Sequence, residues 1–551
     1  MNRLQHHIKE LGSYYDPAYL GSQVYLLQDS GYRVFRYLKW FWSAQSFSGW
    51  NKLRPLKTPR NRALLLFVYL GTILQMLIAV AVLTGGMLYD AAGAVPIGLA
   101  LLLSYPIVWP HMLALAYIAY KVVWTLVHPK AAGRATVCRV LEWQVVRLRA
   151  KHTFTIIAVA GSIGKTSTKL AIAHTLEPTR RVIYQTGNYN DRVTIPLVLF
   201  GQKLPNLFNV VAWLRIFIAN EQTISRPEFY QMAVLELGTD HPGDMAQFAY
   251  LKPEISVVTA ITPEHMEYFK TLDAVAAEEL TVCDYSQQVL LNADDTPTKY
   301  LKGRSVLRYG LDASYAFSAS GFKPAGITHE RIELHLQDSV KVPADIAIAG
   351  EQGVKIMLAA AATAQLAGLT ASEITKGLKE VRPFAGRMQL LAGKKGSTII
   401  DDTYNASPVA VKAGLDVLYA TKAPQRIAIL GNMNELGDYS KAAHIEVGKY
   451  CRSDKLDLVV TIGADAEKYL APAARANGCD VQSFTSPYDA GEAVLSALKP
   501  GAVVLGEGSQ NRVFAEEALK PLLAKKADES KLVRQSDDWM RIKRGQFQPK
   551  Q

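Results

Sequence analysis

Two stretches of this 551-residue chain, 63–89 and 91–120, contain no Asp, Glu, Lys or Arg. Each exceeds the roughly 20 residues that cross a bilayer as a helix. Two buried core helices of a soluble domain are the bland alternative, and the length of both runs argues against it. A signal peptide is not expected, because the first run starts 62 residues in and a second follows directly. The connecting "GGMLYDAAGAV" has no Lys or Arg, whereas "KLRPLKTPRNR" precedes the first run and Lys121, Lys130 and Arg134 follow the second. The positive-inside rule then predicts a hairpin with both ends cytoplasmic. Upstream, "GYRVFRYLKWFWSAQSFSGW" interleaves Arg33, Arg36 and Lys39 with Trp40, Trp42 and Trp50, the pattern of an interfacial amphipathic segment. Pro106 and Pro110 bend the second span without forbidding it.

Charge supports this division. The chain carries a net +12, and residues 1–150 hold 16 Lys/Arg against 5 Asp/Glu, which leaves +1 for the other 401 residues. A nucleic-acid enzyme would carry its basic surface on the catalytic part, so no nucleic-acid partner is expected and a lipid bilayer is. Cys138, Cys283, Cys451 and Cys479 are scattered, without metal-like spacing.

From residue 155 short apolar runs alternate with helical patterns, which predicts an α/β body with a mainly parallel sheet. Candidate strands are "TIIAVAG", "RVIYQTG", "MAVLELG", "ISVVTAI" and "QVLLNAD", followed by a β-rich stretch at 305–350 and a helix at "VKIMLAAAATAQLAGL". After a break at 383–387 a second α/β series begins with "STIIDDTYNASP", "RIAILGNM", "LDLVVTIG" and "AVVLGEGS". The first strand runs into Gly161, Ser162, Ile163, Gly164, Lys165, Thr166 and Ser167, then into a helix. That is a phosphate cradle: backbone N–H groups and a helix N-terminus surround an anion, Lys165 reaches the phosphates, and the Thr166 hydroxyl can ligate Mg²⁺. Val159 stands where the longer P-loop pattern has its first glycine. Glu236 ends a strand, as a metal contact or a helix-cap partner, and His265 follows another strand end, as a site residue or a loop histidine. Asp401 and Asp402 end a strand in the second series, to bind ribose or metal or to cap the next helix. Most of these lie at C-terminal strand ends, where such sheets bind ligands.

In this order the pieces "GSIGKTSTK", "TGNYNDRVTIPL", "LELGTDHPGDM", "ITPEHMEYFKTL", "NADD", "GRMQLL", "IDDTYNASP", "LGNMNELGDYSKAAHIEVG" and "GEGS" resemble the Mur ligases, ATP-dependent amide ligases of peptidoglycan synthesis. The resemblance runs from about 155 to 520 and is strongest to the branch that adds D-alanyl-D-alanine to a muramoyl-tripeptide. It implies a P-loop central domain at 153–385 and a Rossmann-like C-terminal domain at 386–530; outside it, composition and charge give a basic, aromatic interfacial segment at 1–62, a transmembrane hairpin at 63–127, a linker at 128–152 and a loose basic tail at 531–551. It also implies ATP and Mg²⁺ as cofactors, with Lys165 on the phosphates and Thr166, Glu236 and His265 on metal. Asn292 would lie near the adenine, Arg387 on the phosphates, Asp402 on the ribose and Tyr404 and Asn405 beside the base. Thr186, Asn188 and Asn190 match the loop facing the acceptor, a UDP- or lipid-linked muramoyl-peptide. Other cell-wall synthesis enzymes are the further partners implied.

The departures are specific. Ile163 replaces a usual Asn. No lysine occurs in "DAVAAEELTV", where the family carries a carbamylated lysine, so Glu278 or Glu279 is expected to supply the missing carboxylate. Gln352-Gly353 replaces a His-Asn pair, and Glu507 replaces a lysine. Nothing in 1–150 resembles the family's UDP-sugar domain. Rival readings are a related ligase for another polymer, such as poly-γ-glutamate or a wall glycopolymer, and a membrane-anchored ATPase or scaffold that makes no amide.

Overall fold

The computed structural model describes residues 14–43, 53–89, 91, 93–185, 189–226, 230–323, 326–327, 331–346 and 348–547. The chain divides into two compact units, Met1–Ala135 and Thr136–Gln551.

The first unit is helical. Helices α1 (Pro17–Asp29) and α2 (Val34–Ser43) precede two long helices, α3 (Pro59–Leu88) and α4 (Ala94–Val127). Pro59 opens α3, and the Thr58 side chain caps it by accepting from Asn61 N at 3.2 Å. The two long helices approach closely at Gly71, where a Cβ would lie 1.8 Å from the Trp109 ring. Gln75 locks the pair: its Oε1 accepts from Trp109 Nε1 at 2.8 Å, and its Nε2 donates to Leu101 O at 2.7 Å. Only 17% of the apolar window of α3 and 33% of that of α4 are buried. A soluble core helix would be mostly covered, so these helices present apolar side chains outward and are long enough to cross a membrane.

Helix α5 (Pro129–Lys151) occupies the stretch read as a linker. Its Leu141, Val145 and Leu148 are fully buried. The second unit then builds a nine-stranded sheet, β1 (Thr155–Ala160), β2 (Val182–Tyr184), β3 (Met232–Glu236), β4 (Ile255–Val258), β5 (Gln288–Asn292), β6 (Leu307–Gly310), β7 (Phe317–Ser320), β8 (Arg331–His335) and β9 (Lys341–Asp345). Their order is β2-β3-β1-β4-β5-β6-β7-β8-β9, parallel through β7 and antiparallel at β8 and β9. Alternation along β1 sends Ile157 and Val159 to one core and Ile156, Ala158 and Ala160 to the other, so the central strand is apolar throughout. Helices α6 (Lys165–Leu176) and α9 (Glu351–Leu366) cover the first face; α7 (Val210–Ser225) and α8 (Leu272–Glu279) come between them in the chain and pack in other clusters. The alanine run of α9 is buried on every side, because small side chains let the helix sit close to the sheet and to α6.

The second sheet comprises β10 (Gln389–Ala392), β11 (Thr398–Asp402), β12 (Arg426–Gly431), β13 (Leu458–Ile462), β14 (Val481–Phe484) and β15 (Val503–Glu507), in the order β10-β11-β15-β12-β13-β14. All but β10 are parallel. The chain enters it through Gly386, at φ +65°, whose N–H donates to Asp401 Oδ2 at 3.1 Å. A Cβ there would meet Tyr404 N at 2.9 Å, so only glycine fits.

The expected loose tail is corrected by the structure: residues 537–547 form helix α10 (Asp537–Phe547). The reason is Lys543, fully buried between Glu516 at 2.9 Å and Glu517 at 2.6 Å. Burial raises the Glu517 pKa, but bonds from Lys520 and Lys543 outweigh it and hold the carboxyl below its ordinary 4.5. This contribution to stability is present above pH 4.5 and is lost as pH falls through the lowered value. Lys543→Ala removes one cation from each buried carboxylate, leaving Arg534 on Glu516 and Lys520 on Glu517, and is expected to cost about 1.5–3 kcal/mol, read from the urea midpoint at neutral pH.

Candidate active site

The C-terminal ends of β1, β3 and β4 face the second sheet across a cleft of about 1100 Å³. Gly161 turns out of β1 at φ +119°, and a Cβ there would lie 2.4 Å from Thr259 Oγ1. Thr259 pins the loop by donating to Ile163 O at 2.5 Å, and Ser162 N donates to Ala260 O at 2.9 Å. Gly164, at φ +80°, starts α6. The first N–H groups of that helix have no intrahelical acceptor and open toward the cleft, as an anion cradle requires.

Lys165 Nζ donates to Gly161 O at 2.5 Å and to Glu264 Oε2 at 3.1 Å. Burial pulls its pKa down, but Glu264, Glu279 and Glu236 outweigh that and raise it, so the ammonium stays charged. Thr166 Oγ1 donates to Glu236 Oε1 at 3.2 Å, and Lys169 Nζ donates to Glu236 Oε2 at 3.1 Å. Lys169 and Glu264 were not singled out in the sequence, although Lys169 sits one turn beyond Lys165 and Glu264 adjoins His265.

His265 adopts φ +47°, and its Nδ1 lies 3.0 Å from Glu435 Oε2 on the opposite lobe. Burial lowers the His265 pKa, but the Glu435 hydrogen bond and the Glu264 charge raise it overall. Across the cleft, the Arg387 guanidinium lies 4.4 Å over the Tyr404 ring, and its buried Nε has no hydrogen-bond partner among the described residues. Asp402, Asn405 and Asn190 also line the cleft. A guanidinium whose Nε has no partner among the described residues, lining the same cleft as the glycine cradle, fits a polyphosphate between the lobes.

Three expected placements differ. Asn292 is absent from the cleft lining; its Nδ2 donates to Asp295 Oδ2 at 2.7 Å and its Oδ1 accepts from Asp294 N at 3.1 Å, so it organises the "NADD" turn. Glu279 is buried behind the cradle with both oxygens engaged, Oε2 by Gly161 N at 2.6 Å and Oε1 by Thr239 Oγ1 at 2.9 Å. Glu278 instead accepts from Gly243 N and Met245 N, away from the cleft. Thr186 and Asn188 lie outside the described residues.

No group of three or more His, Cys, Asp or Glu among the described residues is arranged to hold a metal ion. Thr166 with Glu236 offers two oxygen donors beside the cradle. That fits Mg²⁺, which takes one or two protein oxygens and completes its shell with phosphate and water. His265 Nδ1 lies against Glu435, and Glu279 accepts from Gly161 N and Thr239 Oγ1.

The second lobe carries an unpaired acidic group. Glu507 is fully buried beside Asp402, its register partner on the neighbouring strand. Burial, then the Asp402 charge, push its pKa well above the ordinary value, and a protonated Glu507 donates to Asp402. Burial likewise pushes Asp401 up to about 6. Gly414 leaves the room, since a Cβ there would sit 3.3 Å from Glu507 Oε2.

A glycine-turn phosphate cradle facing a second α/β lobe across a cleft defines a two-lobed P-loop protein. Two family descriptions match: the Mur ligase middle domain over 159–364 and the Mur ligase, glutamate ligase domain over 386–510. The chain belongs to the Mur ligase family. It is 28% identical over 318 residues to the UDP-N-acetylmuramoyl-tripeptide--D-alanyl-D-alanine ligase of Escherichia coli, covering 56% of this chain and 64% of the relative. It is 28% identical over 387 residues to the ligase of that name from Synechocystis, covering 68% and 76%. Its fold resembles MurF from Acinetobacter baumannii, with a TM-score of 0.57 at 20% identity over 70% of this chain and 79% of that one. MurF from Thermotoga maritima in complex with ADP gives 0.55 at 21% identity over 70% and 84%.

A carboxyl with a raised folded pKa leaves stability intact below its unfolded value and erodes it as pH rises through the folded one. Glu507→Gln, which keeps the neutral donor, is therefore expected to flatten this loss. Urea midpoints at pH 5 and pH 8 should fall less with pH in the variant than in the parent protein.

Proposed function

We propose that this chain is a membrane-anchored, ATP-dependent carboxylate–amine ligase that adds D-alanyl-D-alanine to a muramoyl-peptide at the cytoplasmic face of a bacterial membrane. The observation that carries the reading is the Arg387 guanidinium, unpartnered at Nε, facing the Gly161–Gly164 cradle across the cleft. The family membership and the names of the relatives support the substrates. The outward apolar faces of α3 and α4, with Lys and Arg flanking but not between them, support the anchor.

In this reading the cradle amides and Lys165 hold the phosphates of ATP, and Arg387 meets them from the other lobe. Thr166 and Glu236 would hold a Mg²⁺ ion, which would supply charge neutralisation at the phosphates. An acceptor carboxylate oxygen attacks the γ-phosphorus, the bond to the β-bridging oxygen breaks, and ADP leaves. The amine of D-alanyl-D-alanine attacks the acyl carbon of the acyl phosphate; the carbon–oxygen bond breaks, phosphate leaves, and the amine gives its proton to solvent. Asn190, Asp402, Tyr404 and Asn405 line the cleft, and in this reading Asn190 meets the acceptor, Asp402 the ribose, and Tyr404 and Asn405 the base. Glu279 holds the cradle in shape through Gly161 N. The contact between His265 and Glu435 fastens the lobes together and keeps water from the acyl phosphate.

Detergent-purified protein given ATP, Mg²⁺, a muramoyl-tripeptide acceptor and D-alanyl-D-alanine is expected to release ADP and phosphate only when both acceptor and amine are present. Acceptor-independent turnover, or AMP and pyrophosphate as products, would refute the ligase. Lys165→Ala should lower kcat by about 10²–10³, the usual cost of deleting one charge-stabilising donor. Glu279→Ala should weaken ATP binding and lower stability by about 1–3 kcal/mol, since it strands the buried Gly161 N–H. Unchanged values for both would remove Glu279 from the site.

A further inference from the structure

Helix α7 is apolar on both sides. Its inner side is accounted for: Trp213, Ile216 and Ile224 are buried, the first two in one cluster with Cys138 and Leu141 of α5. Two buried amides tie the helices, Gln144 Nε2 donating to Phe217 O at 2.9 Å and Asn220 Nδ2 to Gln144 Oε1 at 2.9 Å. Its outer side carries Val210, Val211, Leu214 and Ile218, each 55–66% exposed, with Leu204 exposed in the preceding turn. Residues 211, 214 and 218 share one face at helical spacing. An isolated exposed leucine is ordinary, but five large apolar side chains within fifteen residues form a patch that calls for a partner.

We propose that this face of α7 lies in the interfacial layer of an anionic bilayer, as a second membrane contact made by the catalytic unit itself. Charge identifies the partner: 192–220 contains Arg192, Lys203 and Arg215 and no Asp or Glu, and Lys203 and Arg215 are exposed beside the apolar stripe. Apolar residues on one face with basic residues at its margin match the boundary between acyl chains and anionic headgroups. Chain length permits the contact. Ten residues lie between Val127, the end of α4, and Cys138, which packs with α7. They span at most about 40 Å whatever their conformation. The proposal rests on the membrane-anchored part of the proposed function. It adds that the cleft is held at a fixed attitude to the membrane, not swung on a tether.

The test uses the full-length protein in lipid nanodiscs, with an environment-sensitive fluorophore on Leu214→Cys or, as a remote control, on Glu492→Cys; the unsubstituted protein gives the background from native thiols. Label at 214 should shift to the blue and lose emission when the lipids carry bromine near the glycerol end of the acyl chains. It should do so more in phosphatidylglycerol than in phosphatidylcholine discs, and label at 492 should do neither. Adding Ile218→Glu and Val211→Glu should abolish the shift at 214 while the protein stays in the disc. Absence of quenching at 214 overturns the proposal, and cross-linking between copies through residue 214 would assign the face to a second copy instead. Extraction of the unsubstituted protein from membranes by alkaline carbonate would instead refute the anchor, a failure distinct from that of the docking face.

Discussion

The end of β1 is where the structure has least freedom. Gly161 must leave the sheet in a left-handed turn directly against Thr259, so the cradle exists only if β1 and β4 are neighbours in register. Three groups enforce that arrangement from outside the loop. Thr259 holds the Ile163 carbonyl, Ala260 takes the Ser162 N–H, and Glu279 takes the Gly161 N–H. Each is a buried hydrogen bond whose loss leaves a stranded polar group, so the loop is fixed before any ligand arrives. Cores on both faces of the sheet, and the alanine-rich α9 packed against α6, supply the rigidity that this local geometry needs.

The charges around the cradle form a second, dependent layer. Lys165, Lys169, Glu236 and Glu264 lie within hydrogen-bonding reach of one another or of the loop. Removing any one would leave its partner buried and uncompensated, which is why the group acts as a set. The opposite lobe mirrors this with the reverse sign of imbalance: Asp401, Asp402 and Glu507 cluster with the Arg387 charge alone nearby, and protonation of Glu507 relieves the excess. A lysine at 507 would instead pair with Asp402 directly. This chain keeps Asp402 oriented through a neutral donor, so the replacement is compatible with an intact cleft.

What could be read from the sequence divides along the same physical line. Strands β1, β3, β4 and β5 and the cradle are announced by continuous apolar runs ending in glycine, acid or turn residues, because a parallel sheet buried on both faces leaves no room for polar alternation. Edge strand β14 and the antiparallel β10 are short and weakly patterned, and were not distinguished. The α10 helix was missed for a different reason. Its sequence is polar and basic, and what holds it is a single buried lysine meeting two glutamates about 26 residues away, a contact with no local signature. At the site, Glu236, His265 and Asp402 line the cleft, whereas Asn292, though it ends β5, does not, since a carboxamide two residues before two aspartates is captured by its own turn. Glu279 was separable from Glu278 only in three dimensions: consecutive residues at the end of α8 point to different neighbours, one to the cradle and one to the 243–245 turn.

In the proposed function, anchoring changes what the cleft must accomplish. A soluble ligase has to capture its acceptor from three dimensions, which places much of the binding energy in contacts remote from the reacting carboxylate. An enzyme held at a surface meets a surface-bound acceptor at raised effective concentration, so part of that energy is supplied by geometry. The gain depends on the orientation of the cleft, because a freely swinging tether spreads the same concentration over all attitudes. Helix α7 is bound to α5 by Gln144, Asn220 and the Arg147–Glu221 pair at 2.6 Å, so it turns as one piece with the helix that leads into the catalytic unit. A rigid apolar face on that piece can convert a tether into a platform. It also gives a physical use to an exposed stripe that a freely soluble protein would be under pressure to make polar.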